Sequence, residues 1–144
     1  MNNNTLYQLG LAAKIWLVAV IMNALLGALL IGFSNGGEGM WEMFLLILMV
    51  GGLFSIPCLV TVFLLIRLLT GWVGGILIFL IVAAGGVAVT VLVFNGLMQE
   101  LGEGDRDNMR YMLVVTIIAA LAGVVTFYKP LMKQGREFYH PEKV

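Results

Sequence analysis

Four long apolar stretches, residues 11–33, 41–66, 72–94 and 111–128, leave this chain few ways to fold. At about 1.5 Å per residue, each covers most or all of a hydrocarbon layer about 30 Å thick when helical, and the longer ones have length to spare for tilt. Lipid offers no partner for a backbone N–H or C=O, so an apolar span pairs these groups internally, as an α-helix does. Charged residues are 11% and hydrophobic residues 61% of the 144, with a mean hydropathy of +1.03. A water-soluble domain carries roughly a quarter charged residues. The expected fold is all-α: an integral membrane protein with four transmembrane helices in an antiparallel bundle. It forms one domain over residues 1–144, with a basic tail at 129–144 and no soluble domain.

The first stretch is read as a span and not as a secretion signal. Residues 1–10 hold no Lys or Arg, the apolar run after Lys14 exceeds a signal's apolar region, and no small-x-small cleavage site follows it. Basic residues then set the orientation. With four spans, one side holds Lys14, Arg67, Lys129, Lys133, Arg136 and Lys143, and the other only Arg106 and Arg110. Both termini are therefore expected to be cytoplasmic, in a multi-pass protein of the cytoplasmic (inner) membrane. Most acids sort the other way: Glu38 and Glu42 by the first loop, and Glu100, Glu103, Asp105 and Asp107 in the third.

The second stretch carries Gly51, Gly52 and Pro57 near its middle. Pro57 cannot donate to the carbonyl of Leu53, and its ring crowds that carbonyl, so a kink is expected there and Pro57 is a candidate hinge. Small and weakly polar side chains form a stripe on each helix. The first holds Ala12, Trp16, Ala19, Asn23 and Gly27; the second Gly51, Ser55, Cys58 and Thr61; the third Gly75, Ala83, Gly86 and Thr90; the fourth Thr116, Ala119, Ala120, Gly123 and Thr126. Close backbone approach between helices in lipid accounts for such stripes, and Gly71-x-x-x-Gly75 and Ala119-x-x-x-Gly123 fit the same account. The sharper reading is that Asn23, Gly51, Ser55, Thr61, Gly86, Thr90 and Thr116 line a pathway. Asn23, the most polar residue at depth, must face protein or water.

No Asp, Glu, Lys, Arg or His lies near the centre of a span, which argues against a coupled transporter. The one cysteine, Cys58, permits no intramolecular disulfide, and the one histidine, His140, lies in the tail. Asp105-Arg106-Asp107-Asn108 lacks the spacing and glycine of a calcium loop, and no nucleophile, base or acid pair is evident. No enzyme and no cofactor or metal are expected. Lys129, Lys133 and Arg136 share one face if the last helix continues past Pro130; with Arg67 they suit contact with anionic lipid headgroups or an anionic ligand such as a nucleotide or oligonucleotide.

Two functions follow as expectations. The first is a homo-oligomeric channel or pore-type effector, gated at its basic cytoplasmic face, with acids ringing the outer mouth. The second is a non-conducting interaction protein, either an accessory subunit bound to a partner protein in a membrane complex or an immunity-type protein against a membrane-acting toxin.

Overall fold

The computed structural model describes residues 3–34, 39–100 and 106–136. Within them all regular structure is helical: α1 (Asn3–Ser34), α2 (Met40–Phe54), α3 (Ile56–Leu69), α4 (Gly75–Glu100), α5 (Arg106–Thr126) and α6 (Tyr128–Met132). The first is long and apolar enough to cross a membrane over Asn3–Leu30, and α4 is so over Gly75–Gly96. Helices α2 and α3 pass that test together, as a pair bent by 50°. The apolar part of α5, Arg110–Thr126, is shorter. By length and composition, two or three helices therefore qualify as spans.

Several boundaries differ from the apolar stretches, three of them for a local reason. Helix α1 begins at Asn3, well before Leu11, because nothing between Asn3 and Gln8 breaks a helix and Gln8 is buried against Thr70. The third apolar run starts at Trp72, yet α4 starts at Gly75. Gly71 takes φ +74°, a left-handed value that favours glycine, and its N–H donates to Gln134 O at 3.0 Å. Gly71 is thus a turn residue, so Gly71-x-x-x-Gly75 is no helix-contact motif. The last run breaks at Phe127, where Pro130 has no N–H for the Thr126 carbonyl and its ring crowds that group.

The long first helix is central, packed against α5, α2 and α3, while α4 packs against α3 and α5 and carries α6. Small residues set how closely these helices meet. A Cβ added to Gly123 would stand 2.7 Å from Ile15 O and 3.1 Å from Ala19 Cβ, so only glycine lets α5 lie this near the α1 backbone. One at Gly27 would meet Ile47 Cδ1 at 2.9 Å. A side chain on Gly75 would collide with the Met132 backbone.

The core is not spread evenly along the helices. Leu11, Ala12, Ile15, Val62, Ile66, Ile78, Val82, Val124 and Leu131 form the buried cluster, and every one of them lies towards the end that holds the α3–α4 turn and α6. That end is closed by polar groups with little access to solvent. Gln8 Nε2 donates to Thr70 Oγ1 at 3.0 Å, Thr70 Oγ1 donates to Ile66 O at 2.6 Å, and Arg136 N–H donates to Val73 O at 3.0 Å. Gln8, Thr70 and Gln134 are all buried. These bonds tie three distant parts of the chain together.

Candidate functional site

The site begins with the break in the second apolar stretch. Pro57 is the second residue of α3 and leaves the Leu53 carbonyl without its helical donor. The turn itself falls at Ser55, φ −90° and ψ −1°, and the helical ladder resumes on both sides. Ser55 N–H donates to Gly51 O at 3.0 Å, and Leu59 N–H to Ser55 O at 3.1 Å. The Ser55 hydroxyl donates to Gly52 O at 3.0 Å, pairing a carbonyl beside the bend. The same oxygen accepts from the indole N–H of Trp16 at 2.7 Å. Trp16 therefore pins the bend to α1.

The 50° bend directs α2 along α1, its one extensive contact. Space remains between α2, α4 and α5, a cavity of about 360 Å³. That is within the range of ligand sites, roughly 300–1,000 Å³. Leu46, Val50 and Phe54 wall it on α2, Val89 and Val93 on α4, and Met112 and Ala120 on α5.

Of the seven pathway candidates, the fold brings six together on this cavity: Asn23, Gly51, Ser55, Gly86, Thr90 and Thr116. Thr61 is not among the lining residues; its hydroxyl donates to the Pro57 carbonyl at 2.9 Å. Pro57 is exposed and off the lining, so it shapes the cavity without touching it. Cys58 does line it, with Sγ 4.0 Å from Gly86 O.

The hydroxyls on the wall are turned onto their own helices. Thr90 Oγ1 donates to Gly86 O at 2.9 Å, four residues back, and Ser55 Oγ to Gly52 O, three back. Thr116 Oγ1 has one proton and two acceptors in reach, Met112 O at 2.8 Å and Asn23 Oδ1 at 2.9 Å. Back-bonding of this kind leaves methyl and methylene groups facing the space. The amide of Asn23 differs: its Nδ2 lies over Gly51, where an added Cβ would be 3.4 Å away.

Sequence reasoning gave Trp16 and Cys58 no individual role. A signal existed for Trp16, since an indole N–H inside an apolar span needs an acceptor. For Phe54, Leu46 and Val50 no signal existed, because any apolar residue on α2 reads alike until the bend is known.

At the far end Arg67, Lys129, Lys133 and Arg136 are all exposed, and Lys129 Nζ stands 5.8 Å from the centre of the Tyr128 ring. They do not share a helical face. The last helix ends at Met132, so residues 133–136 turn back across the α3–α4 link and Arg136 leaves the i, i+4, i+7 series. Glu42 is exposed at the opposite end. Glu38, Glu103, Asp105, Glu137, His140 and Lys143 lie outside the described residues, as do the side chains of Glu100 and Asp107. Among the described residues no three of His, Cys, Asp or Glu come close enough to hold a metal ion.

Aromatic side chains mark both ends. Trp72 is 82% exposed in the α3–α4 turn, and Trp41 is 69% exposed at the start of α2, stacked on Phe44 with ring centres 5.3 Å apart. Exposed tryptophan at two levels, with apolar surface between, is the pattern of membrane–water interfaces. No protein-family model matches this chain, and neither does any curated protein or solved structure.

Proposed function

We propose that this chain is a non-conducting membrane interaction protein whose working part is the cavity beside the Ser55 bend. It sits in the cytoplasmic membrane as a four-span antiparallel bundle, with the basic end and both termini cytoplasmic. Several features support that placement. Contact pairs descend along one helix as they rise along the next: Ile15 meets Gly123 and Asn23 meets Thr116 between α1 and α5, and Trp16 meets Ser55 and Gly27 meets Ile47 between α1 and α2. The apolar part of α5, Arg110–Thr126, covers about 25 Å at 1.5 Å per residue. Arg67, Lys129, Lys133 and Arg136 gather at one end, where anionic headgroups would meet them.

The observation that carries the functional reading is the chemistry of the cavity. A water path needs polar groups facing it along its length. Here the hydroxyls of Ser55 and Thr90 are spent on their own helix carbonyls, and the packed half, with Val62, Ile66 and Val82, stands between the cavity and the basic end. Among the described residues, one chain offers a mostly apolar pocket and no continuous polar lining. A channel would have to form between copies.

Conductance across liposomes separates the two. The expected result is no current above the lipid background at any voltage, with or without nucleotides or oligonucleotides. A discrete homo-oligomer in mild detergent that also carries current would reinstate the pore and end this reading.

A further inference from the structure

We infer that the cavity binds a molecule dissolved in the bilayer, one with a long hydrocarbon portion and a single carbonyl oxygen that accepts a hydrogen bond from Asn23 Nδ2. The inference rests on the four-span reading above and adds the ligand class.

Size, entry and polarity each point that way. A cavity of about 360 Å³ is more than twice an engineered one of about 150 Å³ that takes benzene, so it holds a chain and not just a ring. Leu46, Val50 and Phe54 line it and are nevertheless 57%, 46% and 49% exposed, so its mouth runs along α2. That mouth lies among exposed Met49, Leu53 and Val60, where lipid would be the solvent. The ligand enters from the membrane and not from water.

Asn23 fixes the polar part. It lies seven residues before Leu30, the end of the apolar section of α1, and so about 10 Å inside it. Its Oδ1 is met by Thr116, and its Nδ2 lies over Gly51 on the cavity wall. Gly51 presents no side chain there, which leaves room for a ligand oxygen. One acceptor on an otherwise apolar molecule matches one donor on an otherwise apolar wall.

Two sources share this chemistry, a fatty-acyl lipid with its ester carbonyl and a prenylated quinone with its ring carbonyl. Trp16 lies on the wall, and the remaining tryptophans, Trp41 and Trp72, are exposed. A Trp41→Phe/Trp72→Phe protein reports on the cavity alone. It would be placed in phosphatidylcholine vesicles with increasing mole fractions of either a phospholipid with a dibrominated acyl chain or a prenylated benzoquinone, both quenchers of indole fluorescence.

The expected result is saturable quenching of Trp16 by one of the two probes, which also identifies the source. Gly86→Leu should abolish it: a Cβ there meets nothing within 4 Å, so the new side chain starts in open space on the cavity wall. Val50→Phe, at the exposed mouth, is a second block. Asn23→Leu should weaken binding by about 2- to 10-fold, the loss of one hydrogen bond. Quenching by both probes that rises linearly with mole fraction and ignores Gly86→Leu and Val50→Phe would overturn the inference. The same vesicles give the conductance. Current with saturable quenching sinks the non-conducting reading alone, and silence with linear quenching sinks the ligand alone.

Discussion

The halves of this molecule on either side of Ser55 share the long helices α1, α4 and α5 and nearly the same residue types, yet one, with α3 and α6, is packed and the other, with α2, is hollow. Towards the basic end Ile66, Ile78, Val82 and Leu131 are each fully buried, and the Gln8, Thr70 and Gln134 side chains close the end. Towards the other end the walls include Leu46, Val50 and Phe54, each about half exposed, around a cavity of about 360 Å³. The difference lies in helix direction and not in hydrophobicity. In lipid there is little drive to bury one apolar side chain against another, so density follows from how closely backbones approach. Gly123 and Gly75 allow that approach in the packed half; in the other, Gly27 brings α2 close to α1 while the 50° bend leaves α2 apart from α4.

Glycine substitutions should break this comparison most sharply. Gly123→Leu places a side chain against the Ile15 carbonyl, 2.7 Å from its Cβ, and backbone there has nowhere to go. We expect a loss of about 3 kcal/mol or more, near the upper end for overpacking, read as a collapse of the SDS-unfolding midpoint in mixed micelles. Gly86→Leu, on the cavity wall, should leave that midpoint unchanged or higher. Equal damage from both would mean that the hollow half is as full as the packed one.

Next in size is a matched pair of isoleucines, Ile66 at 0% exposure in the core and Ile47 at 7% on the cavity wall. Ile66→Ala should cost about 2–4 kcal/mol, as truncation in a filled core does. Ile47→Ala removes a side chain that already lacks neighbours on one side, so it forfeits fewer contacts and should cost about half as much. The same midpoints measure both. Parity would refute the contrast in density.

The clamp on the bend comes third. Ser55→Ala strands the Trp16 indole N–H, and a stranded donor costs about 1–3 kcal/mol. Adding Trp16→Phe removes the donor as well and should recover most of that loss. No recovery in the double mutant would show that the hydrogen bond does not hold the bend.

Smallest is Pro57→Ala, which restores an N–H for the Leu53 carbonyl at an exposed position and should change stability by less than about 1 kcal/mol. Its effect is on shape. Spin labels at Met49 and Leu92, exposed residues on α2 and α4, should move closer as the bend relaxes in a Cys58→Ala background. An unchanged distance would assign the bend to Ser55 and Trp16 alone.

Much of the fold was legible because it depends on local rules. Apolar length marked α1 and α4, and the missing N–H of Pro57 placed a break within two residues of Ser55. A helical period of about 100° per residue put Asn23, Gly51, Ser55, Gly86, Thr90 and Thr116 on stripes, and these residues do meet. The period failed where the helix itself failed. Past the bend the stripe keeps Cys58 on the cavity but loses Thr61 one turn further along α3, and Arg136 lies past the end of α6. The Gly71-x-x-x-Gly75 spacing suggests a contact glycine, but the positive φ of Gly71 makes it a turn residue.

By itself, the sequence determined an all-helical chain with apolar helices suited to a membrane, a weak point at Pro57, and basic residues gathered at one end. These follow from backbone hydrogen bonding, residue size and charge, which act over a few neighbours. Only the tertiary structure decided that the stripes enclose a hollow and not a seam. The angle at Ser55 turns α2 along α1 and leaves it short of α4, and no pattern within either helix records the distance between them.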